Sequence, residues 1–410
     1  MVIRASYLEK IDVAFSMVPI VCLIGARQVG KTSLMKMFHF DGDKLFLNGQ
    51  DPEVSGLFDK LPELEAYLKV YLNPELKGLL LVDEFQFIPR ISTMLKLLSD
   101  KNDNLKILCS GSSGINIQQS VEESLAGRIR MIEVFSLSFS EYLLFKDEKL
   151  FELYDSFDLS TKDSALTAPF RSVLNEYLLY GGFPRAALTQ DKDQKIAVLD
   201  DIYKTYLIRD VRSYVKNEHF TGFNRLLRML AAQSGNMINI NELSRESGLA
   251  YRACDEYVQL LQQMYIIKLL EPFSGNKRSV ITKMKKAYFT DTGLRNIINT
   301  DFNQFEFRPD KGALLENYVL LELSRNLRPG GKIQYYRTTD GTEVDFVVTQ
   351  PDSRYALECK SSNPVKPVHT GALQGFGKLE GIDDLYLINL SLNLRNDRVK
   401  YLQAYLAGKI

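Results

Sequence analysis

The sequence predicts an α/β protein. A parallel sheet with helices on both faces comes first, followed by a helical segment, a winged helix-turn-helix and a second α/β region. Three observations predict this. Residues 19 to 145 alternate short apolar runs with helix-periodic stretches, the pattern of a sheet covered on both faces. Residues 146 to 215 space their apolar positions at three and four, the period of a helix. From about residue 290 a helix precedes three strand-like runs separated by turn residues, a different α/β order.

The elements follow in turn. "PIVCLIG" is a buried strand and "KTSLMKMFHF" starts a helix; "KLFLNG" is a strand and "LPELEAYLKVYL" a helix. "GLLLVDE" is a strand, "ISTMLKLLSD" a helix and "LKILCSGSS" a strand, and "MIEVFSLS" closes the series. "FRSVLNEYLLYGG" and "KIAVLDDIYKTYLIRDVRSYV" are helical, with "GGFPRA" as the loop between them. "NINELSRESGLAYRACDEYVQLLQQM" is helix, glycine-containing turn and helix, and "YIIKLLEPF" is a strand before "SGNKR", the order of a winged helix-turn-helix. "GALLENYVLLELSRNL" is an amphipathic helix; "KIQYYRT", "EVDFVVTQ" and "RYALECKSS" form a meander, and "LYLIN" is a late strand. The boundaries are therefore 1–145, 146–215, 216–289 and 290–410.

Bulk composition narrows the partners. The 410 residues carry 51 Lys plus Arg against 51 Asp plus Glu, so no global field draws the chain to nucleic acid, and any such contact needs a local patch. No run reaches the ~18 apolar residues of a membrane helix, and the amino terminus lacks the basic-then-apolar order of a secretory signal, so a cytoplasmic protein without a membrane partner is expected. Cys22, Cys109, Cys254 and Cys359 are far apart and form no CxxC pair, which suits small buried hydrophobes in a reducing compartment. With only His39, His219 and His369 beside them, a His/Cys zinc site is not expected.

Gly25-Ala26-Arg27-Gln28-Val29-Gly30-Lys31-Thr32, followed by Ser33, fits GxxxxGK[ST] between a strand and a helix. Backbone N–H groups of such a loop converge on phosphate, and the helix N-terminus adds partial positive charge. Lys31 is expected to reach the β- and γ-phosphates of ATP, and Thr32 to hold Mg²⁺ with its hydroxyl. "LLLVDE" ends an apolar strand in two acids, which is costly without a task. Asp83 suits the metal shell and Glu84 the base that orients the attacking water. Ser110 or Ser112, at the end of the next strand with Gly111 and Ser113, is placed to sense the γ-phosphate. Arg128, after Gly127, is the candidate cation for charge developing on that phosphate, either within the chain or across a subunit contact, so self-association enters as an expectation.

The P-loop strand, "VDE", "SGSS", "LAGR" and "FSLSFSEYL" resemble AAA-type P-loop NTPases of bacteria and archaea that carry an uncharacterised C-terminal domain, and "YLLYGGFPRA", "YLIRDV", "YFTDTGLRN" and "EVDFVV…LECKSS" resemble that C-terminal half. The resemblance spans nearly the whole chain. It implies an ATPase with a winged helix and a nuclease-like end, and it implies no cellular task.

Late in the chain, strand alternation puts Glu343 and Asp345 on one face, and Glu358 and Lys360 on one face, so a turn brings Asp345 beside Glu358. Two acids and a lysine are the minimum for a hydrolytic Mg²⁺ site. The arrangement resembles the PD-(D/E)xK pattern of a restriction-endonuclease-like domain, with Glu316 on the preceding helix as the further acid. In the winged helix, residues 268 to 286 hold six Lys/Arg against one Glu, a basic wing suited to DNA phosphates. The reading helix carries Asp255 and Glu256 and offers only Arg252. Two functions follow: an ATP-hydrolysing protein coupled to a DNA-associated nuclease-like domain, or a nucleotide-gated DNA-binding or protein-docking regulator whose nuclease fold is inactive.

Overall fold

The computed structural model describes residues 4–112, 125–160, 167–273, 284–338, 341–362, 370–391, 394–395 and 398–410. The chain divides into two compact units, Met1–Phe135 with Gln263–Tyr265, and Ser136–Gln262 with Ile266–Ile410. The first division therefore falls about ten residues before the boundary at 145 read from the sequence.

The first unit is a parallel sheet of five strands: β1 (Ile20–Ile24), β2 (Lys44–Asn48), β3 (Gly78–Asp83), β4 (Leu105–Gly111) and β5 (Ile129–Glu133). Their spatial order is β2-β3-β4-β1-β5, with every pairing parallel. β1, β3 and β4 are buried on both faces, which is why they read as continuous apolar runs. Leu64 and Leu68 from helix Leu61–Tyr71, and Met94, Leu95 and Leu98 from helix Ile91–Lys101, pack on Leu80, Val82 and Ile107. Because all strands run the same way, the carboxyl ends of β1, β3 and β4 lie at one edge of the sheet. That edge gathers the residues after Ile24, Asp83 and Gly111, where ligands sit in folds of this kind.

In the second unit, the three regions separated in the sequence share one core. Tyr142, Leu174 and Tyr177 from the helical segment, Tyr288 from the hairpin, and Leu314, Tyr318, Phe346 and Leu357 from the last region belong to a single buried cluster. An eight-stranded mixed sheet has the order β12-β13-β11-β10-β9-β8-β6-β7. These strands are β6 (Ile267–Pro272), β7 (Lys286–Phe289), β8 (Lys332–Arg337), β9 (Glu343–Thr349), β10 (Arg354–Lys360), β11 (Asp384–Asn389), β12 (Leu394–Arg395) and β13 (Lys400–Gln403). The hairpin after the helix-turn-helix joins the sheet directly: β6 pairs in parallel with β8 through Glu271–Gln334 and Pro272–Tyr335. The sheet thus runs across the boundary at 289/290.

Helices Phe220–Ala232, Ile240–Ser247 and Tyr251–Gln263 precede the hairpin, and Gly248 in the left-handed conformation ends the middle one. The heart of the basic wing, including Lys277 and Arg278, lies outside the described residues, as do Ser113 and His369. The long helical run read from 195 to 215 is α-helical only to Ile202; wider π-type turns from Tyr203 to Asp210 and a tight turn from Val211 to Tyr214 follow.

The motif "GGFPRA" is a lock within this unit. Gly181 has φ +71, and a side chain there would run into the Asp291 carboxylate. Asp291, fully buried, caps helix Thr292–Asn299 through Leu294 N and accepts from Gly182 N at 2.8 Å. Arg325 donates from helix Lys311–Arg325 to the carbonyls of Ser136 and Leu137 at 3.1 and 3.0 Å.

Candidate functional site

The loop after β1 is shaped by close backbone approach. Gly25 has φ +139, and a Cβ there would collide with the carbonyl oxygen of Val134, so only glycine fits. Ala26 and Val29 are buried in the loop, while Gln28 (φ +61) and Ser33 are exposed. Lys31 opens helix Lys31–Met37 and folds back into the loop, where its Nζ donates to the carbonyls of Gly25 and Ala26 at 2.9 and 2.6 Å. Burial pushes this ammonium down to about 8, against the opposing charges of Glu84 and Asp83. A cation held so dry is stabilised by any anion that enters the loop.

The strand tips converge on the same place. Thr32 Oγ1 donates to Asp83 Oδ2 at 2.8 Å. Ser110 Oγ, fully buried, donates to Asp83 Oδ1. Glu84 departs from the strand in the left-handed conformation (φ +50), and its amide faces Asp83 Oδ1 at 3.2 Å and Ser110 Oγ at 3.4 Å. Its carboxylate accepts from Ser112 Oγ at 3.0 Å and from the amide of Gln86, which also donates to Ser112 at 3.0 Å. Arg27 Nε donates to Ser112 Oγ at 3.4 Å.

Gly25, Lys31, Thr32, Asp83, Glu84, Ser110 and Ser112 are therefore one constellation. Its donor set of loop amides, a buried ammonium, a hydroxyl and a carboxylate fits a triphosphate tail with a hard divalent cation. The family described as AAA domain matches residues 18–143, the span of this loop and these strand tips. The first unit carries an AAA domain. P-loop domains of this class use ATP and Mg²⁺.

Two further families match beyond the AAA domain, both described as domains of unknown function: DUF8612 over residues 171–304 and DUF4143 over 311–404. Relatives extend over most of the chain. An uncharacterised protein of Methanocaldococcus jannaschii is 26% identical over 93% of this chain and 83% of its own. One of Mycobacterium tuberculosis is 26% identical over 84% and 71%, and one of Haemophilus influenzae 23% identical over 95% and 98%. Among solved structures, a Walker-type ATPase of Pyrococcus abyssi is similar with a TM-score of 0.49 and 15% identity, over 73% of this chain and 96% of that one. The Aeropyrum pernix ORC1 protein in complex with DNA is similar with a TM-score of 0.34 and 11% identity, over 73% and 92%.

Arg128 is not brought to the loop of the AAA domain. It precedes β5, its carbonyl accepts from Ile20 N at 3.1 Å, and its guanidinium pairs with Asp100 at 2.5 Å on the half-exposed surface. It therefore sits at the amino-terminal edge of the sheet, about 15 Å of strand away from the loop. The placement expected for it within the chain does not match this position. Gln86, which fixes Glu84, went unnoticed in the sequence; its two-residue spacing from the acid, across a tight turn, was the available signal.

In the second unit the late carboxylates do meet. Register along β9 and β10 pairs Leu357 with Phe346, which sets Glu358 beside Asp345, and Cys359 N donates to Asp345 Oδ2 at 2.7 Å. Glu316, on helix Lys311–Arg325, accepts from the Tyr288 hydroxyl at 3.2 Å; burial and then the Asp345 charge push it well above the usual range. Glu358 pairs with Lys360 and is likewise raised by burial.

One participant was counted in the sequence as part of the basic wing. Lys286, from β7, is buried and ion-paired with Glu343. Burial alone would depress it, but the charges of Glu316, Asp345 and Glu343 outweigh that and raise it. Two ammonium groups thus already serve these acids. Among the described residues no group of three or more His, Cys, Asp and Glu side chains is arranged to hold a metal ion.

In the helix-turn-helix, Arg252 is paired with Glu256 at 2.9 Å on an exposed face, a contact of small energy. No helix among the described residues is long and apolar enough to cross a membrane.

Proposed function

We propose that the chain is a Mg²⁺-dependent ATP hydrolase whose nucleotide state acts on the second unit. The observation that carries this is the hydrogen-bonded run from Thr32 through Asp83 to Ser110 and Glu84, directly beside the buried Lys31. In this reading, residues 25 to 33 wrap the phosphates with backbone amides. Lys31 neutralises the β- and γ-phosphates, and Thr32 and Asp83 hold the metal shell. When bound, Mg²⁺ withdraws charge from the phosphate oxygens. Glu84 takes the proton of the attacking water; Ser110 fixes Asp83, and Gln86 and Ser112 fix Glu84.

Purified Lys31→Ala is expected to lose nucleotide binding, and Glu84→Gln to keep binding and lose Mg²⁺-dependent phosphate release. Undiminished turnover in either variant would sink the reading.

For the second unit, a restriction-endonuclease-like domain that regulates or docks without cutting is favoured over an active nuclease. Lys286 is the reason: an ammonium from the preceding hairpin stands among the acids that cleavage would need for a metal. DNA association rests on the helix-turn-helix, and a gel-shift assay of the full chain with and without ATP tests it.

A further inference from the structure

The second unit holds a cavity of about 310 Å³ that neither the phosphate loop nor the late acids account for. Three strands that neighbour one another in parallel, β13, β11 and β10, end at it. Ala404 and Tyr405 follow β13, Leu390 and Ser391 follow β11, and Ser361 follows β10; all five line the cavity. The carboxyl ends of parallel strands are where α/β sheets take their ligands. Among the described residues, the lining includes none of Glu316, Glu343, Asp345 and Glu358.

The floor is apolar: Leu174, Phe305 and Tyr405 are fully buried and belong to the core of the unit. The rim is cationic. Arg171 reaches it from helix Ala168–Tyr180, and Lys311 opens helix Lys311–Arg325 beside it. The one acid of the lining, Glu306, accepts from Asn175 at 2.7 Å. Lys311 Nζ meets the Glu306 carbonyl at 3.4 Å, a length at which a hydrogen bond is weak. The start of the Lys311 helix has no side-chain cap, because the Asp310 carboxylate is turned to Arg308 and Arg295. Ser361 Oγ stands 3.5 Å from where a Cβ on Gly312 would lie, so a hydroxyl faces that first turn. An uncapped helix start beside a cation and a hydroxyl attracts an anion.

Gln403 is an independent sign of a missing acceptor. It is fully buried, and its Oε1 accepts from Arg171 Nε at 2.9 Å. Its Nε2 has no partner among the described residues. A buried donor left unpaired costs free energy that an entering acceptor relieves.

We propose that this cavity is a binding site for a small organic anion, a phosphate or carboxylate head on an apolar or aromatic body. The head sits at the helix start with Lys311, Ser361 and Arg171, and offers the Gln403 amide the acceptor it lacks. The body lies on Leu174, Phe305 and Tyr405. Apolar walls with a few convergent polar groups are the usual make-up of a small-molecule site. The assignment does not rest on the ATPase reading.

The test uses full-length Lys31→Ala, so that the phosphate loop does not compete for the probes. Phenyl phosphate, benzoate, benzylamine and inorganic phosphate are titrated by calorimetry and by ligand-observed NMR. At least one of the two aromatic anions is expected to bind at millimolar concentration or below, and the tighter of the two names the head group. Benzylamine, the same ring with the opposite charge, is expected not to bind. Adding Lys311→Gln, at a half-buried position, is expected to weaken the tighter anion about tenfold, the loss typical of one hydrogen bond to a charged group. Ser361→Leu, also at a half-buried position, is expected to block the cavity without changing its charge.

Failure of both aromatic anions to bind at millimolar concentration would overturn the proposal. So would benzylamine binding as tightly as the anions, or affinity within twofold of the parent in both Lys311→Gln and Ser361→Leu. Inorganic phosphate binding as tightly as phenyl phosphate and benzoate would overturn it too, because the apolar floor would then contribute nothing.

Discussion

Arg4 Nη1 donates to the carbonyl of Val29 at 3.0 Å, tying the amino-terminal helix to the phosphate loop. The same nitrogen donates to the carbonyl of Phe135 at 2.9 Å, and the guanidinium lies 4.4 Å from the ring of Tyr7, whose hydroxyl accepts from Phe135 N. One buried cation thus joins the loop to the residue at which the chain passes into the second unit. Because a hydrogen bond to a charged group contributes about 1.5–3 kcal/mol, Arg4→Met is expected to destabilise the first unit by roughly 2–4 kcal/mol. Amide exchange should quicken at 25–30 and 134–135 together. Quickening at only one of the two segments would show that they are not linked through Arg4.

Lys31 gives a pH dependence with a definite sign. Its ammonium, held at about 8 by burial, is neutral in the free protein above that pH. A triphosphate favours the charged form, so binding above pH 8 must take up a proton. Affinity for ATP is expected to fall by up to about tenfold per pH unit from 8 upward. Calorimetry at pH 8.8 in two buffers of different ionisation heat should report uptake of close to one proton, and Lys31→Arg, which stays charged, should abolish it.

Legibility from sequence divided along a physical line. The loop of Gly25 to Thr32 was readable because backbone amides must be contiguous to wrap an anion. Asp83 and Glu84 were readable because two charges end an apolar strand. Arg128 was misjudged within the chain because proximity to a strand does not say which edge of the sheet it occupies; that depends on β5 running parallel to β1. Lys286 was read only as one charge of the basic wing for a related reason: it arrives on a short strand from the other side of the boundary at 289/290. Helix Gly371–Glu380 contains Gly371, Gly375 and Gly377, which depress helix propensity, and tertiary packing of Leu373 and Phe376 overrides them.

Gly181 is the most sensitive position of the "GGFPRA" lock. Its φ of +71 disfavours any side chain, and the space of a Cβ is taken by Asp291, which is itself buried. Gly181→Ala combines backbone strain with displacement of a buried carboxylate from its donors. A loss of about 3 kcal/mol or more is expected on these two terms. Urea unfolding of the full chain, followed at the second unit, checks it; a change below 1 kcal/mol, a small surface effect by usual magnitudes, would mean that the lock is slack.

Asp310 contributes to the acid sensitivity of the second unit. Burial pushes its carboxyl up, but hydrogen bonds from Arg308 and the charges of Arg295 and Arg308 win and hold it at about 2. A depressed carboxylate stabilises the fold above its unfolded value, near 4, and that stability is lost as pH falls toward 2. After allowance for partial exposure, about 1–2 kcal/mol should disappear over this range. Asp310→Asn should be less stable at pH 7 and show a flatter loss below pH 4; parallel curves for variant and wild type would contradict the pairing.

Lys286 decides between a cutting and a non-cutting second unit. Its ammonium is buried beside Glu343, with Glu316 and Asp345 contributing attraction. Removing one partner of a buried ion pair strands the others, so Lys286→Met is expected to cost about 3–5 kcal/mol. With the ammonium in place, wild type without nucleotide should bind no Mn²⁺ at the acids in spin-resonance titrations. It should also leave plasmid and single-stranded DNA intact in Mg²⁺ or Mn²⁺. Stoichiometric Mn²⁺ binding that vanishes in Asp345→Asn, or DNA cutting that vanishes in Glu358→Gln, would mean that the lysine coexists with a metal and that the nuclease reading is the correct one.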